Sequence, residues 1–224
     1  MATALTGWYG FFLGLAAGMA VRAATAYRTV SPRWLRWLLL GLAALVASRY
    51  VTLMVWANSA EPSRWLWLRH CWLASIVALP LPSLLALDQL VRHPSWSAMR
   101  ILRYCSPVLV LYALIMLFGP GALQPHPLAG WVPELRMPWR AALIVVQSVF
   151  VLVFAVLCTL LILRMRSRRV RLAVSGLLLG HVSIALAHVP AVAQHAGHCA
   201  LLLTEIFTLA AIGHAFDIAH ERAV

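Results

Sequence analysis

Lysine is absent from this 224-residue chain, and all eighteen basic residues are arginine. That absence excludes a retinal protein of the usual kind, whose chromophore hangs on a lysine Schiff base. Charge of either sign is scarce, at 11% of residues, while 63% are hydrophobic. A soluble domain has an apolar fraction nearer half, so the composition points to one membrane-embedded domain over residues 1–224. Cysteine is sparse as well. Cys71, Cys105, Cys158 and Cys199 form no CxxC and lie far apart, so no disulfide framework is expected and each reads as a small apolar residue. No basic region precedes the first apolar block, and a cleavable signal is therefore not expected.

What charge there is carries a direction. The formal net charge is +12, yet nucleic acid is not the expected partner. The arginines lie beside hydrophobic runs, where anionic lipid headgroups are the natural counter-charge. A span needs about 20 mostly apolar residues to cross roughly 30 Å of hydrocarbon. Seven stretches qualify: 5–24, 34–57, 65–90, 103–119, 140–163, 171–193 and 198–218. Thirteen arginines fall after spans one, three and five and in the tail, and four near the opposite ends; Arg49 lies inside span two. Basic loops stay cytoplasmic, so the fold expected is an all-α seven-helix bundle with its amino terminus outside and its carboxyl terminus in the cytoplasm.

Trp56, Trp65, Trp67, Trp131 and Trp139 gather at the outer boundary and Trp34, Trp37 and Trp96 at the inner one, as an aromatic belt does. The one sizeable loop, 119–139, carries Pro120, Pro125, Pro127, Pro133 and Pro138. It is expected to resist regular structure and to form a lid or surface loop.

Ionisable groups inside a span are costly and mark function more often than surface charges do. Counting inward at about 1.5 Å per residue puts Arg49, Tyr112, Gln147, His188 and Glu205 about 10–13 Å beneath the external surface. If they face one another, they line an externally open pocket with an Arg49–Glu205 pair at its floor. The count for His188 assumes an external turn between His195 and His198, with His181, His188 and His195 on one face of span six. Structural roles compete with this reading. Arg49 can snorkel outward on its long stem, and Tyr112 and Gln147 can simply tie helices together.

Haem b is the competing cofactor, because His181 and His195 lie fourteen apart on span six; Pro190 between them should bend that helix and no second helix carries a matching pair. A metal held by His181, His195 and His198 is the looser alternative. Enzyme signatures are lacking. Seven-helix hydrolases of the ceramidase and adiponectin-receptor kind use an HxxxH pair on the last span, but His214 and His220 are six apart. Arg92-His93-Pro94 is similar to the RHP of membrane methyltransferases, without the acidic motif expected downstream.

Trp65-Leu66-Trp67-Leu68-Arg69-His70, then Ala78-Leu79-Pro80-Leu81-Pro82 and Leu84-Leu85-Ala86-Leu87, and the basic run Arg164–Arg171 before Gly176 and Gly180, form a longer pattern. Spans one to six with this pattern resemble the seven-helix sensor region at the amino terminus of bacterial histidine kinases and cyclic-dinucleotide synthases. The resemblance implies a bacterial cytoplasmic membrane protein that binds a small ligand; Pro80, Pro82 and Pro190 are expected, on helix geometry, to provide bends that move on binding. No kinase or cyclase region follows here, so a signalling partner is expected to carry the output. A haem-binding electron-transfer subunit and a small transporter or proton channel are the alternatives from other classes.

Overall fold

Apolar runs bounded by arginine-bearing turns form the long helices of the computed structural model. In chain order these are α1 (Ala2–Tyr27), α2 (Arg33–Asn58), a 3-10 turn (Pro62–Leu68), three short helices α3 (Arg69–Trp72), α4 (Ser75–Ala78) and α5 (Pro80–Val91), and α6 (Ala98–Phe118). Strands β1 (Gly121–His126) and β2 (Gly130–Leu135) precede helices α7 (Trp139–Arg164), α8 (Arg168–Ala187) and α9 (Pro190–Glu221). The structure describes residues 2–91, 97–118, 121–126, 130–187 and 190–222. Among them seven stretches are long and apolar enough to cross a membrane, the third running Ser63–Val91. The chain is a multi-pass membrane protein of seven helical spans.

Several boundaries depart from the sequence expectation. α6 begins at Ala98 rather than near 103, because the Ser97 hydroxyl accepts the Arg100 N–H at 3.3 Å and caps the helix. Pro107 inside α6 leaves the Arg103 carbonyl without its helical donor, and the Ser106 hydroxyl donates to that carbonyl at 2.7 Å. Span six was expected to run to 193 through Pro190. Instead α8 ends at Ala187 and Pro190 opens α9. A proline has no N–H to contribute and its φ suits the first helical turn, so it starts a helix more readily than it continues one.

Within the proline-rich segment, residues 121–126 and 130–135 are regular as well. Its strands pair antiparallel from Gly121 opposite Leu135 to His126 opposite Gly130. In a ribbon of two strands every strand is an edge, so Pro125 and Pro133 can sit where no ladder donor is needed. Leu135 is buried with Ile76, Ile115 and Leu143, and Leu123 and Trp131 pack on the main core. The hairpin therefore covers one end of the bundle, as a lid would.

At the opposite end, charged side chains tie the last helix to its neighbours. Arg22 lies 3.9 Å from Asp217 and Arg169 lies 3.5 Å from Glu221, while Arg222 donates to the Leu90 carbonyl at 2.9 Å. The exposed ion pairs are each worth under about 1 kcal/mol. Their value is geometric: the arginine-bearing ends of α1, α8 and α9 share one face with the end of α5.

Helix α9 is the hub, packed along α1 and α8 and touching α5. Small residues permit it. Gly176 faces Ala211 and Gly180 faces Thr208, while Ala16, Ala20 and Ala23 of α1 are buried, Ala23 beside Gly213. By contrast, only 17% of the apolar stretch of α6 and of α7 is buried, which suits helices turned toward lipid.

The two α8 glycines should respond differently to alanine. A Cβ on Gly180 would meet Thr208 Oγ1 at 2.7 Å and its Cα at 3.1 Å, so backbone must move. One on Gly176 meets Ala211 Cβ at 3.5 Å, an ordinary contact. Gly180→Ala should cost about 1–3 kcal/mol and lower Tm in detergent, whereas Gly176→Ala should leave it nearly unchanged or raise it.

Candidate functional site

The third span is where backbone is released. In a continuous helix the Trp72 carbonyl would accept the Ile76 N–H. Here the Ile76 N–H bonds Leu73 at 3.0 Å and the Ala74 N–H bonds Cys71 at 3.1 Å, so the helix tightens and breaks between α3 and α4. The Trp72 and His70 carbonyls are thereby free to accept from elsewhere. Non-helical backbone at membrane depth survives only where protein groups satisfy it.

Arg49 of α2 satisfies one of them. Its Nη1 donates to the Trp72 carbonyl, and its Nη2 donates to Glu205 Oε1 of α9 at 2.9 Å. The two side chains are only 7% and 3% exposed, so the pair is enclosed rather than set at the floor of an open pocket. An arginine alone at mid-span costs roughly 2.5–3.5 kcal/mol on insertion scales, which is why its charge is met by a carboxylate and a second donor, Nη1, by backbone. The second freed carbonyl, on His70, accepts from the Tyr112 hydroxyl of α6 at 3.4 Å.

Three buried polar atoms in this cluster have no hydrogen-bond partner among the described residues: Arg49 Nε, Glu205 Oε2 and the Tyr50 hydroxyl. Tyr50 is fully buried, with its ring centroid 5.9 Å from the Arg49 guanidinium carbon. Tyr9 of α1, also buried, lies within electrostatic reach of both charges.

Of the five residues expected to line the site, Arg49 and Glu205 meet directly. Tyr112 binds the broken segment that also binds Arg49. Gln147 is half-buried on α7, which packs mainly against α8, and hydrogen-bonds no described residue. His188 lies outside the described residues, and so do the side chains of His195 and His198. With Gly180 against Thr208, Glu205 falls opposite residues near 183, because the turn precedes Pro190 rather than following His195.

That same turn places His181 and His195 on different helices, so they are not a one-face pair for stacked haems. His181 is buried, its Nε2 is 2.8 Å from the Ser83 hydroxyl, and its ring stands edge-on to Phe150 and Phe154 at 5.1 and 4.8 Å. It joins α8 to α5 and α7, about half a turn from the level of the ion pair. Among the described residues no three His, Cys, Asp or Glu side chains gather to hold a metal.

The chain matches no protein-family model, no characterised protein and no solved structure. What the site does is therefore argued from its chemistry.

Sequence reasoning missed Tyr9, Tyr50 and the Trp72 carbonyl. Tyr50 could have been found, since it adjoins an intramembrane arginine in the chain. The Trp72 carbonyl left no residue signature, because every residue has one.

Replacing Arg49 with Met, or Glu205 with Leu, strands the partner's charge and should cost about 3–5 kcal/mol. The double variant should recover most of that loss. It should still fall short of the natural protein by about 1–3 kcal/mol, because the Trp72 carbonyl loses its donor. Thermal unfolding in detergent completes the cycle, and strictly additive losses would mean that the side chains do not interact.

Proposed function

We propose that this is a sensor of the cytoplasmic membrane that binds a small ligand at the Arg49–Glu205 cluster and signals through a partner. The observation that carries this reading is an enclosed ion pair, fixed to a broken span, beside polar atoms that no described residue satisfies. A pair serving stability alone would use all its hydrogen-bonding capacity, since apolar residues of similar volume often stabilise as well as a buried pair does. The seven-span outline is compatible with the sensor-region resemblance, and the hairpin over one end suits a lid that admits ligand.

The orientation proposed is amino terminus outside and carboxyl terminus in the cytoplasm, supported by the arginine balance between loops. It places the hairpin outside and the Arg22, Arg169 and Arg222 ends inside, where a cytoplasmic or membrane partner and anionic headgroups are met. A reporter fused after Val224 should be active only in the cytoplasm. One inserted at the tip of the hairpin, between β1 and β2, should be active only outside. The reverse pattern overturns the orientation.

Ligand binding is tested with the small-molecule fraction of a bacterial extract. It should raise the Tm of the purified protein and leave unchanged that of the Arg49→Met/Glu205→Leu double variant, which keeps the fold without the charges. Equal shifts for both proteins, or none for either, would remove the sensor reading.

A further inference from the structure

Resting on that reading, the unsatisfied atoms also specify the chemistry of the ligand. A guanidinium presents Nε–H and Nη2–H along one edge, a fork that normally grips both oxygens of a carboxylate. In this protein the fork is half used. Nη2 holds Glu205 Oε1 at 2.9 Å, while Nε and Oε2, members of the same two groups, are both without partners among the described residues. The Tyr50 hydroxyl, buried beside the guanidinium and within reach of the Glu205 carboxylate, is the third atom that makes no hydrogen bond of ordinary geometry with a described residue. Arg49 and Glu205 could close the fork themselves by a turn of the carboxylate, yet Oε2 is left aside. Buried polar atoms in native proteins are nearly always paired, so three in one cluster call for another molecule.

Their inventory is one donor at Arg49 Nε, one acceptor at Glu205 Oε2, and a hydroxyl that serves as either. Charge narrows the class further. The pair is already neutral as a unit, and an ion entering an enclosed site would arrive without a counter-charge, at a cost of several kcal/mol. We infer that Arg49 Nε, Glu205 Oε2 and the Tyr50 hydroxyl form a recognition site for a small uncharged molecule with an acceptor and a donor side by side, as in a primary amide. The carbonyl of such a molecule accepts from Nε–H, its N–H donates to Oε2, and Tyr50 completes the shell. Water shares the chemistry, and the test separates the two.

Acetamide, acetate and acetamidinium share one heavy-atom frame and differ in charge. Thermal unfolding of the full chain in detergent is followed as each is added. Acetamide should give a saturating rise in Tm that neither ion matches, and the rise should vanish in Tyr50→Phe. That variant deletes a buried hydroxyl that makes no hydrogen bond of ordinary geometry with a described residue and should, with no probe present, be about as stable as the natural protein. A larger response to either ion, an undiminished response in Tyr50→Phe, or a large fall in that variant's own Tm overturns the inference. So does a flat response to all three probes, which means that water alone meets these atoms. If the extract stabilises the protein while acetamide does not, the ligand class is wrong and the sensor reading stands; if neither does, both fall.

Discussion

A guanidinium held inside a membrane span is the constraint from which the rest of this structure follows. Arg49 brings a charge and five N–H donors to a depth where bulk water does not supply partners. Glu205 meets the charge, which fixes α9 against α2 at that level. The Trp72 carbonyl meets a second donor, and it is available only because the third span is broken between α3 and α4. One buried residue thus links three of the seven spans and makes a local defect in one of them useful. The small residues of α1 and α8 then let α9 lie close enough for Glu205 to reach inward.

The pairing of Arg49 with Glu205 was legible because two rules act without regard to tertiary detail. Opposite charges at equal depth in a bilayer have no better partners than each other, and helical rise turns residue counts into depths. The count for His188 relied on a turn between His195 and His198, whereas Pro190 opens α9 ahead of both histidines. Seven spans were readable from apolar length, whereas the hairpin was not. Prolines argue against a central strand but not against a ribbon made wholly of edges. The break at residues 73–74 has neither proline nor glycine to announce it. It is written in the hydrogen-bond needs of Arg49 on another helix, and such a cause is not visible in the segment itself.

Two layers of the bundle divide the mechanical roles. Below the ion pair, His181 bonds Ser83 and packs on Phe150 and Phe154, while Gly180 lies hard against Thr208. These contacts lock α8, α9 and α5 in register. At the level of the pair the contacts are of another kind: a carbonyl released by 3-10-type bonding, a hydroxyl at 3.4 Å from His70, and a fork half closed. Such bonds are easier to exchange than close packing is to shift, because packed interfaces hold discrete arrangements rather than deforming continuously.

On the proposed function this contrast sets the direction of a signal. Glu205 and Asp217 are twelve residues apart on α9, about 18 Å along the axis. Between them lie Thr208 and Ala211, seated on the α8 glycines. A ligand that completes the fork would draw on Arg49 Nε and Glu205 Oε2 together, tightening α2 against α9. The close α8–α9 contact means that α9 then moves with α8, carrying Asp217 and Glu221 relative to Arg22 and the end of α5. The ion pairs at that face are exposed and individually weak, so they re-form at little cost. A rigid pair of helices ending in weak, exchangeable contacts transmits a displacement where a face of strong buried contacts would resist it.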